Sequence, residues 1–273
     1  MLATTVSELT TLALHPVASS GVVPIEAPGL GAAAAASRRD DAAYSHSIAE
    51  ALALVAESVT VQRRLLHEGD AVYQAGERFT HLYVINSGFF KLITLSPDGR
   101  EQIVSLKFRG DWLGFDGIAD QLHDCDAIAM DTGEVWAIPY TALLQAGATR
   151  PALMAALHGA MSREIARDRN SLMSVCTLPA DARVADFLRN WARALARRGL
   201  RTDQITLRMT RAEIGNYLGV TLETVSRALS RLARCELIRF VDKGRRDIRI
   251  PDVQGLDTFV QDCIAPEGPT TLQ

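Results

Sequence analysis

TRAEIGNYLGVTLETVSRALSRLARCE, residues Thr210–Glu236, reads as two short helices around a tight break. Thr210 and Glu213 have the Thr-x-x-Glu spacing of a capping box, in which each side chain satisfies an amide that the first helical turn leaves without a partner. Ile214, Tyr217 and Leu218 recur at helical spacing. Gly219 supplies the positive φ that ends a helix, and Val220 turns inward as the chain reverses. Thr221 is placed to cap the second helix, with Leu222, Val225, Leu229 and Leu232 as its apolar stripe. Glu223, Ser226, Arg227, Ser230, Arg231 and Arg234 take the opposite face. A buried stripe backing a polar, arginine-bearing face is what a helix-turn-helix reader of DNA requires. An ordinary helical hairpin with a solvated face fits the same pattern, so the flanking sequence has to decide.

Downstream, Leu237–Val241 and Asp247–Ile250 bracket Lys243-Gly244-Arg245-Arg246, a hairpin with a basic tip. Upstream, Ile205-Thr206-Leu207 is a short strand. Ala180–Arg198 is a helix with Val184, Phe187, Leu188, Trp191 and Leu195 inward, and it starts where Pro179 breaks the preceding run. Together these make a winged helix-turn-helix over residues 177–251. Residues 179–250 hold 16 Lys and Arg against 8 Asp and Glu, a net +8 in a chain of net −3. A basic module joined to an acidic one is the charge footprint of a nucleic-acid-binding domain with a separate partner domain.

Arg150–Met173 reads as one long helix within residues 149–176. Leu153, Met154, Leu157, Ala160, Met161, Ile165 and Leu172 recur at a spacing suited to pairing with a second copy, or to packing on the chain's own preceding domain. Asp168 falls one turn after Ile165. On a two-fold axis it brings two carboxylates together, which weakens association unless Arg167, Arg169 or a proton compensates. From Val59 to Tyr140, short apolar runs end in Gly-bearing turns, as at Gly69, Gly76, Gly88, Gly99 and Gly110. That rhythm predicts an antiparallel β-barrel or jelly roll over residues 44–148, so the fold class is α+β. A helix over Ser47–Glu57 precedes it. Residues 1–43 are rich in Ala, Gly, Pro and Ser and read as a disordered tail, and residues 252–273 as a C-terminal tail without functional signal.

Cys125, Cys176, Cys235 and Cys263 are scattered, with no C-x-x-C pair, which argues against zinc and iron–sulfur motifs and for reduced thiols in the cytoplasm. No run approaches the roughly 20 apolar residues of a membrane span, so no membrane partner is expected.

In this order of parts the chain resembles the CRP/FNR superfamily of bacterial transcription regulators. The likeness covers roughly residues 47–250. It is carried by Tyr73–Gly76 (YQAG), Leu82–Gly88 (LYVINSG), Gly110–Asp116 (GDWLGFD), Thr210–Gly219 (TRAEIGNYLG) and above all Val220–Arg227 (VTLETVSR), which point to the FNR and FixK branch. The resemblance implies a cyclic-nucleotide-binding-like barrel, a homodimer and an activator of transcription. It assigns base reading to Glu223, Ser226 and Arg227, since Arg can donate two bonds to guanine and Glu can accept from cytosine. It implies a palindrome of the TTGAT-N4-ATCAA kind. Leu222 stands where CRP-like members carry a base-reading Arg, which favours the FNR-type site. Phosphate contacts fall to Thr210, Arg211, Thr221, Thr224, Ser230, Arg231, Arg234, Lys243, Arg245 and Arg246. Dimerisation falls to Met154, Leu157, Met161, Ile165, Asp168 and Leu172. The loop bearing Pro97, Asp98, Gly99 and Arg100 resembles the family's RNA polymerase contact, and a plain hairpin tip fits it as well.

The departures concern the signal. FNR holds its [4Fe–4S] cluster through three N-terminal cysteines and one in the barrel. Residues 1–124 here contain no Cys, and Trp136 stands near the barrel position. CRP-like cyclic-nucleotide sites use Gly-Glu and a downstream Arg-Ser, whereas Gly110–Met130 contains no Arg or Lys. Some FixK-like proteins carry an oxidisable Cys near Thr210, and this chain does not. No metal site is expected from His123-Asp124-Cys125-Asp126 alone, and His67, His81 and His123 lack the H-x-H pairing of a cupin enzyme. No cofactor is therefore expected. A haem or another small effector in the barrel is the alternative means of control.

Overall fold

A computed structural model describes residues 46–241, 244 and 246–264. The expected N-terminal tail, Lys243, Arg245 and the residues after 264 lie outside it. Helix α1, residues 46–58, leads into eight strands. These are β1 (Gln62–Leu66), β2 (Ala71–Tyr73), β3 (His81–Ser87), β4 (Phe90–Leu95), β5 (Glu101–Lys107), β6 (Trp112–Leu113), β7 (Asp126–Ala129) and β8 (Gly133–Pro139), with the one-turn α2 (Gly117–Asp120) before β7. They form two antiparallel sheets in the orders β1-β8-β3-β6 and β2-β7-β4-β5. The jelly-roll expectation thus takes the form of an open two-sheet sandwich. Strands β6 and β7 lie inside Gly110–Met130, where no strand was expected. Asp126-Ala-Ile-Ala129 is too short and alanine-rich to signal a strand, and it becomes one by pairing with β2 and β4.

The Leu82-Tyr-Val-Ile85 run of β3 is buried at all four positions because its sheet is covered on both faces. Tyr83, Ile85, Val135 and Ala137 face Leu66, Phe90 and Ala127 between the sheets. Leu82, Val84, Trp136 and Ile138 face outward onto α1, α3 (Tyr140–Thr149) and the start of α4 (Pro151–Thr177).

Helix α4 has two regimes. Leu153, Leu157 and Ala160 are buried against the sandwich, with Met154 partly so. Leu157 therefore cannot serve a partner, and Met154 packs mainly on Gly147 of α3. Beyond Met161 the apolar stripe is bare, with Ile165 50 % and Leu172 63 % exposed, and Asp168 is exposed beside them.

The C-terminal module comprises α5 (Ala180–Ala196), β9 (Gln204–Thr206), α6 (Arg211–Leu218), α7 (Leu222–Arg234), β10 (Arg239–Phe240), β11 (Asp247–Arg249) and α8 (Val253–Ile264). The wing is the sheet β10-β11-β9. Helix α8 was not expected. Its Leu256 and Val260 are fully buried in the same core as Ala185, Leu188 and Ala192 of α5, so the module extends past residue 251.

This core continues into the sandwich through Ile93, Ile103, Phe108 and Met130. Trp191 of α5 stacks on Phe89 with centroids 5.8 Å apart and meets Phe108 edge-on at 5.4 Å. Below them Asp111 is buried. It pairs with Arg167 of α4 at 2.9 Å and with Arg198, just past α5, at 3.1 Å. Lys107, also buried, meets Glu164 of α4 at 2.5 Å. Sandwich, long helix and winged module meet through this aromatic cluster and through ion pairs, which include Asp111 with Arg167 and Arg198, Lys107 with Glu164, and Lys91 with Glu213. No described helix is long and apolar enough to cross a membrane.

Candidate nucleic-acid interface

The two-helix unit is built as the sequence dictates. Thr210 caps α6, its hydroxyl accepting from the Glu213 N–H while the Glu213 carboxylate accepts from the Thr210 N–H, which closes the capping box. Gly219 ends α6 at φ 65°. Gly215 allows the turn to close: a Cβ there would meet Val220 O at 2.6 Å. Thr221 caps α7 by accepting from the Thr224 N–H at 3.2 Å. Helix α7 buries Val225, Ala228, Leu229 and Leu232. Leu222, expected in that stripe, is instead 46 % exposed at the first position of the helix.

Glu223, Arg227, Ser230 and Arg234 follow the 4-3-4 spacing of one helical face, with Ser226 beside Arg227 and one turn before Ser230. Glu223, Arg227 and Arg234 are exposed and Ser226 and Ser230 half-buried. The Glu223 carboxyl is held below its ordinary value by its own backbone N–H and the Thr221 hydroxyl, with Arg227 adding to the effect. It is therefore a charged acceptor near neutral pH. Arg227 stands one turn on, a paired donor. This face can offer one acceptor and one forked donor to adjacent base edges.

The surrounding candidates divide. Arg211, at the first position of α6, lies over the Phe240 ring of the wing at 5.8 Å, and Thr221 and Thr224 cluster at the α7 N-terminus, where backbone N–H groups favour a phosphate. Arg231 does not join them. It pairs with Asp181 at 2.6 Å and lies over Phe259 of α8, one helical step off the reading face. Thr210 is also committed elsewhere, its hydroxyl engaged with Glu213 on the side facing the sandwich. Arg246 lines the same crevice beside Lys91 and Glu68. Ser230 donates back to Ser226 O at 2.9 Å within its own helix.

The sandwich holds the remaining candidates. Asp98 and Arg100 pair across the β4–β5 hairpin tip at 2.6 Å, and with Pro97 and Gly99 they form an exposed turn. His123 is buried and stacked on Tyr73 at 3.7 Å. Asp116 gathers the Tyr73 hydroxyl at 3.3 Å, His123 Nδ1 at 3.5 Å and the Cys125 thiol at 3.5 Å. Burial raises the Asp116 pKa, but hydrogen bonds from His123 and the Asp124 N–H outweigh it, so the carboxyl is held below its ordinary value. Among the described residues no three His, Cys, Asp or Glu converge as a metal shell would. Sequence reasoning missed the docking residues Asn216, Lys91 and Asp111. The TRAEIGNYLG and GDWLGFD motifs contain Asn216 and Asp111 without marking these roles, and Lys91, which pairs with Glu213, lies in no quoted motif.

Two family models match the chain: a Crp-like helix-turn-helix domain over residues 182–259 and a cyclic nucleotide-binding domain over residues 63–150. The chain is 34 % identical to electron transport regulator A of Shewanella oneidensis over 187 residues, covering 68 % of this chain and 75 % of that one. It is 34 % identical to the fumarate and nitrate reduction regulatory protein of Vibrio cholerae over 182 residues, covering 67 % and 73 %. Among solved structures it is similar to FixK2 from Bradyrhizobium japonicum, with TM-score 0.66, 26 % identity, and coverage of 77 % of this chain and 100 % of that one.

Proposed function

Because the chain belongs to the Crp/Fnr family of transcription regulators, we propose that it reads an FNR-type palindrome, TTGAT-N4-ATCAA or close to it, as a homodimeric activator. The observation that carries this reading is the exposed Glu223–Ser226–Arg227 face on a capped α7, with Glu223 held ionised. Arg227 donates to the guanine of the half-site and Glu223 accepts from the opposing cytosine. Thr221, Thr224, Arg211 and Arg234 hold the backbone. The bare stripe of α4, Ile165 and Leu172 with Asp168 between them, pairs with its copy and sets the two α7 helices about one duplex turn apart. The hairpin tip at Pro97–Arg100 is the surface offered to RNA polymerase.

The residues present do not fit the family's two best-known signals. Cys125 is buried in the sandwich, Cys176 sits at the end of α4, Cys235 after α7 and Cys263 on α8, so four thiolates do not converge on a cluster. Gly110–Met130 holds no Arg or Lys to neutralise a cyclic phosphate, and its Asp116 carboxylate adds a negative charge to that segment. Neither group enters the mechanism. DNA reading by this chain is proposed to be independent of both.

The test is selection from a random duplex library, with protein purified in air and without oxygen, with and without reductant. An enriched TTGAT-type palindrome under all four conditions is expected. Absence of any enriched palindrome overturns the DNA reading, and enrichment confined to anaerobic protein overturns its independence of an oxygen-labile cofactor.

A further inference from the structure

A cleft of about 630 Å³ lies between the C-terminal half of α4, helix α5 and helix α8. That volume falls within the range of sites that hold small organic ligands. From α4 it takes Arg163, Arg167, Asn170 and Ser174, which share one helical face. Ile165, Asp168 and Leu172 lie about half a turn around the helix axis from that face. A second copy seated on the bare stripe therefore covers a different face of α4, with Ser171, Met173 and Val175 of the cleft at its border. Among the described residues, none of its lining belongs to α7 or to the wing, so duplex phosphates on the reading face do not reach it.

The cleft has two kinds of wall. Leu106, Phe108 and Trp191 form an apolar side, with Val260 and Ile264 of α8 at its end. Arginines form the other. Six of them, Arg163, Arg167, Arg189, Arg193, Arg197 and Arg198, line the space against one lining acid, Asp186. Two further acids stand behind: Asp111, on Arg167 and Arg198, and Asp257, on Arg189 at 2.8 Å and Arg193 at 2.7 Å. Guanidinium groups beside an apolar wall match a ligand with an apolar body and a phosphate or carboxylate head.

We infer that this cleft is a binding site for a small organic anion, separate from the interior of the sandwich. Its place gives the site a consequence, which rests on the DNA-reading function proposed above. Arg167 and Arg198 line the cleft and also hold Asp111, an ionic joint between sandwich, long helix and winged module. An occupant that draws on either arginine changes how the two α7 helices are presented.

The experiment titrates the full-length protein with 8-anilinonaphthalene-1-sulfonate, an anion with an apolar body, and follows its fluorescence. One saturable site per chain is expected. ATP and citrate, used as separate competitors, distinguish a phosphate from a carboxylate preference, and uncharged adenosine should fail to displace the probe. Arg163→Glu should weaken the probe at least tenfold, and Asn170→Trp, which fills the cleft without removing charge, should do the same. Both variants should melt as the parent does. Unchanged probe affinity in both variants, or displacement by adenosine as readily as by ATP, overturns the site. Probe binding that follows this pattern in a protein that binds no duplex upholds the site and removes only its link to DNA.

Discussion

Asn216 of α6 binds Ile103 of β5 as a neighbouring strand would. Its Oδ1 accepts from the Ile103 N–H at 2.6 Å, and its Nδ2 donates to Glu101 O at 2.7 Å. Strand β5 is the outer strand of its sheet, so this one side chain occupies hydrogen-bonding groups that an edge leaves open. It also fixes the first helix of the DNA-reading pair against the sandwich. Asn216→Ala should cost about 1 kcal/mol of stability and should raise hydrogen exchange at the Ile103 amide several-fold while the preferred duplex stays the same. Unchanged protection at Ile103 would show that α6 is held by other contacts.

Gly215 is a contact residue through what it lacks. Its Cα faces the carbonyl of Val220 across the turn, and an added Cβ would come to 2.6 Å from that oxygen and 3.3 Å from the Thr221 carbonyl carbon. Both are backbone atoms at a capped helix start, so they yield only if α7 moves. Gly215→Ala is expected to lower stability by about 2 kcal/mol, despite the better helix propensity of Ala, and to weaken duplex binding at least tenfold. A melting temperature equal to or above the parent's would refute the close packing of this turn.

The two-helix unit was legible because each of its signals is local: a capping box, a left-handed glycine and a period-3.6 stripe all act within a few residues. Leu222 was misassigned because periodicity gives direction on the helix and not how far along it burial extends. Likewise Arg231 lies next to the reading face in sequence, yet its partner, Asp181, is 50 residues away on α5. Asp111 and Asn216 carry the docking between domains, and no sequence spacing marks them, since their partners come from other elements. Helix α8 was missed because its apolar positions, Leu256, Phe259 and Val260, become a stripe only when α5 is there to receive them.

Asp111 ties acid stability to the domain joint. Burial raises its pKa, but Arg198, Arg167 and Lys107 together outweigh that and hold it below the ordinary carboxylate value. A carboxylate with a lowered folded-state pKa contributes stability above its unfolded pKa of roughly 3.9, and this is lost as pH falls through the folded value. Melting should therefore be insensitive to Asp111 from pH 7 to about 5 and should fall steeply below about 4. Asp111→Asn leaves Arg198 buried without its counter-charge and should cost about 3–5 kcal/mol at pH 7, while flattening the acid limb of the melting curve. An Asn variant as stable as the parent at neutral pH would rule out the joint.

Thiol chemistry should separate Cys125 from Cys176 and Cys235. Burial, with the Asp116 carboxylate adding to it, pushes the Cys125 thiol up to about 12, whereas Cys176 and Cys235 are exposed. Because the thiolate is the reacting species, iodoacetamide at pH 8 should label Cys176 and Cys235 in the native protein and reach Cys125 only after unfolding. Peptide mass spectrometry reads this directly. Rapid native labelling of Cys125 would mean that the sandwich opens, and would make that thiol a sensor candidate.

Arg227 and Arg234 lie on the same face of α7, seven residues apart, and they should fail in different ways. Arg227, one turn from the ionised Glu223, is placed to meet a base edge with both arms of its guanidinium. Its removal takes away contacts that a wrong base cannot make, so Arg227→Ala should cost about 1–3 kcal/mol on the TTGAT-type site and little on unrelated duplex, erasing the preference at the guanine. Arg234 stands in the last turn, exposed and more than three turns from the capped end. A phosphate there is met equally on every sequence. Arg234→Ala should weaken all duplexes alike and lower the slope of log affinity against log salt by about 0.9. Gel-shift competition at several fixed salt concentrations measures both quantities. If Arg227→Ala lost affinity uniformly and changed the salt slope, its guanidinium would be a phosphate contact, and base reading would have to be reassigned to Glu223 and Ser226.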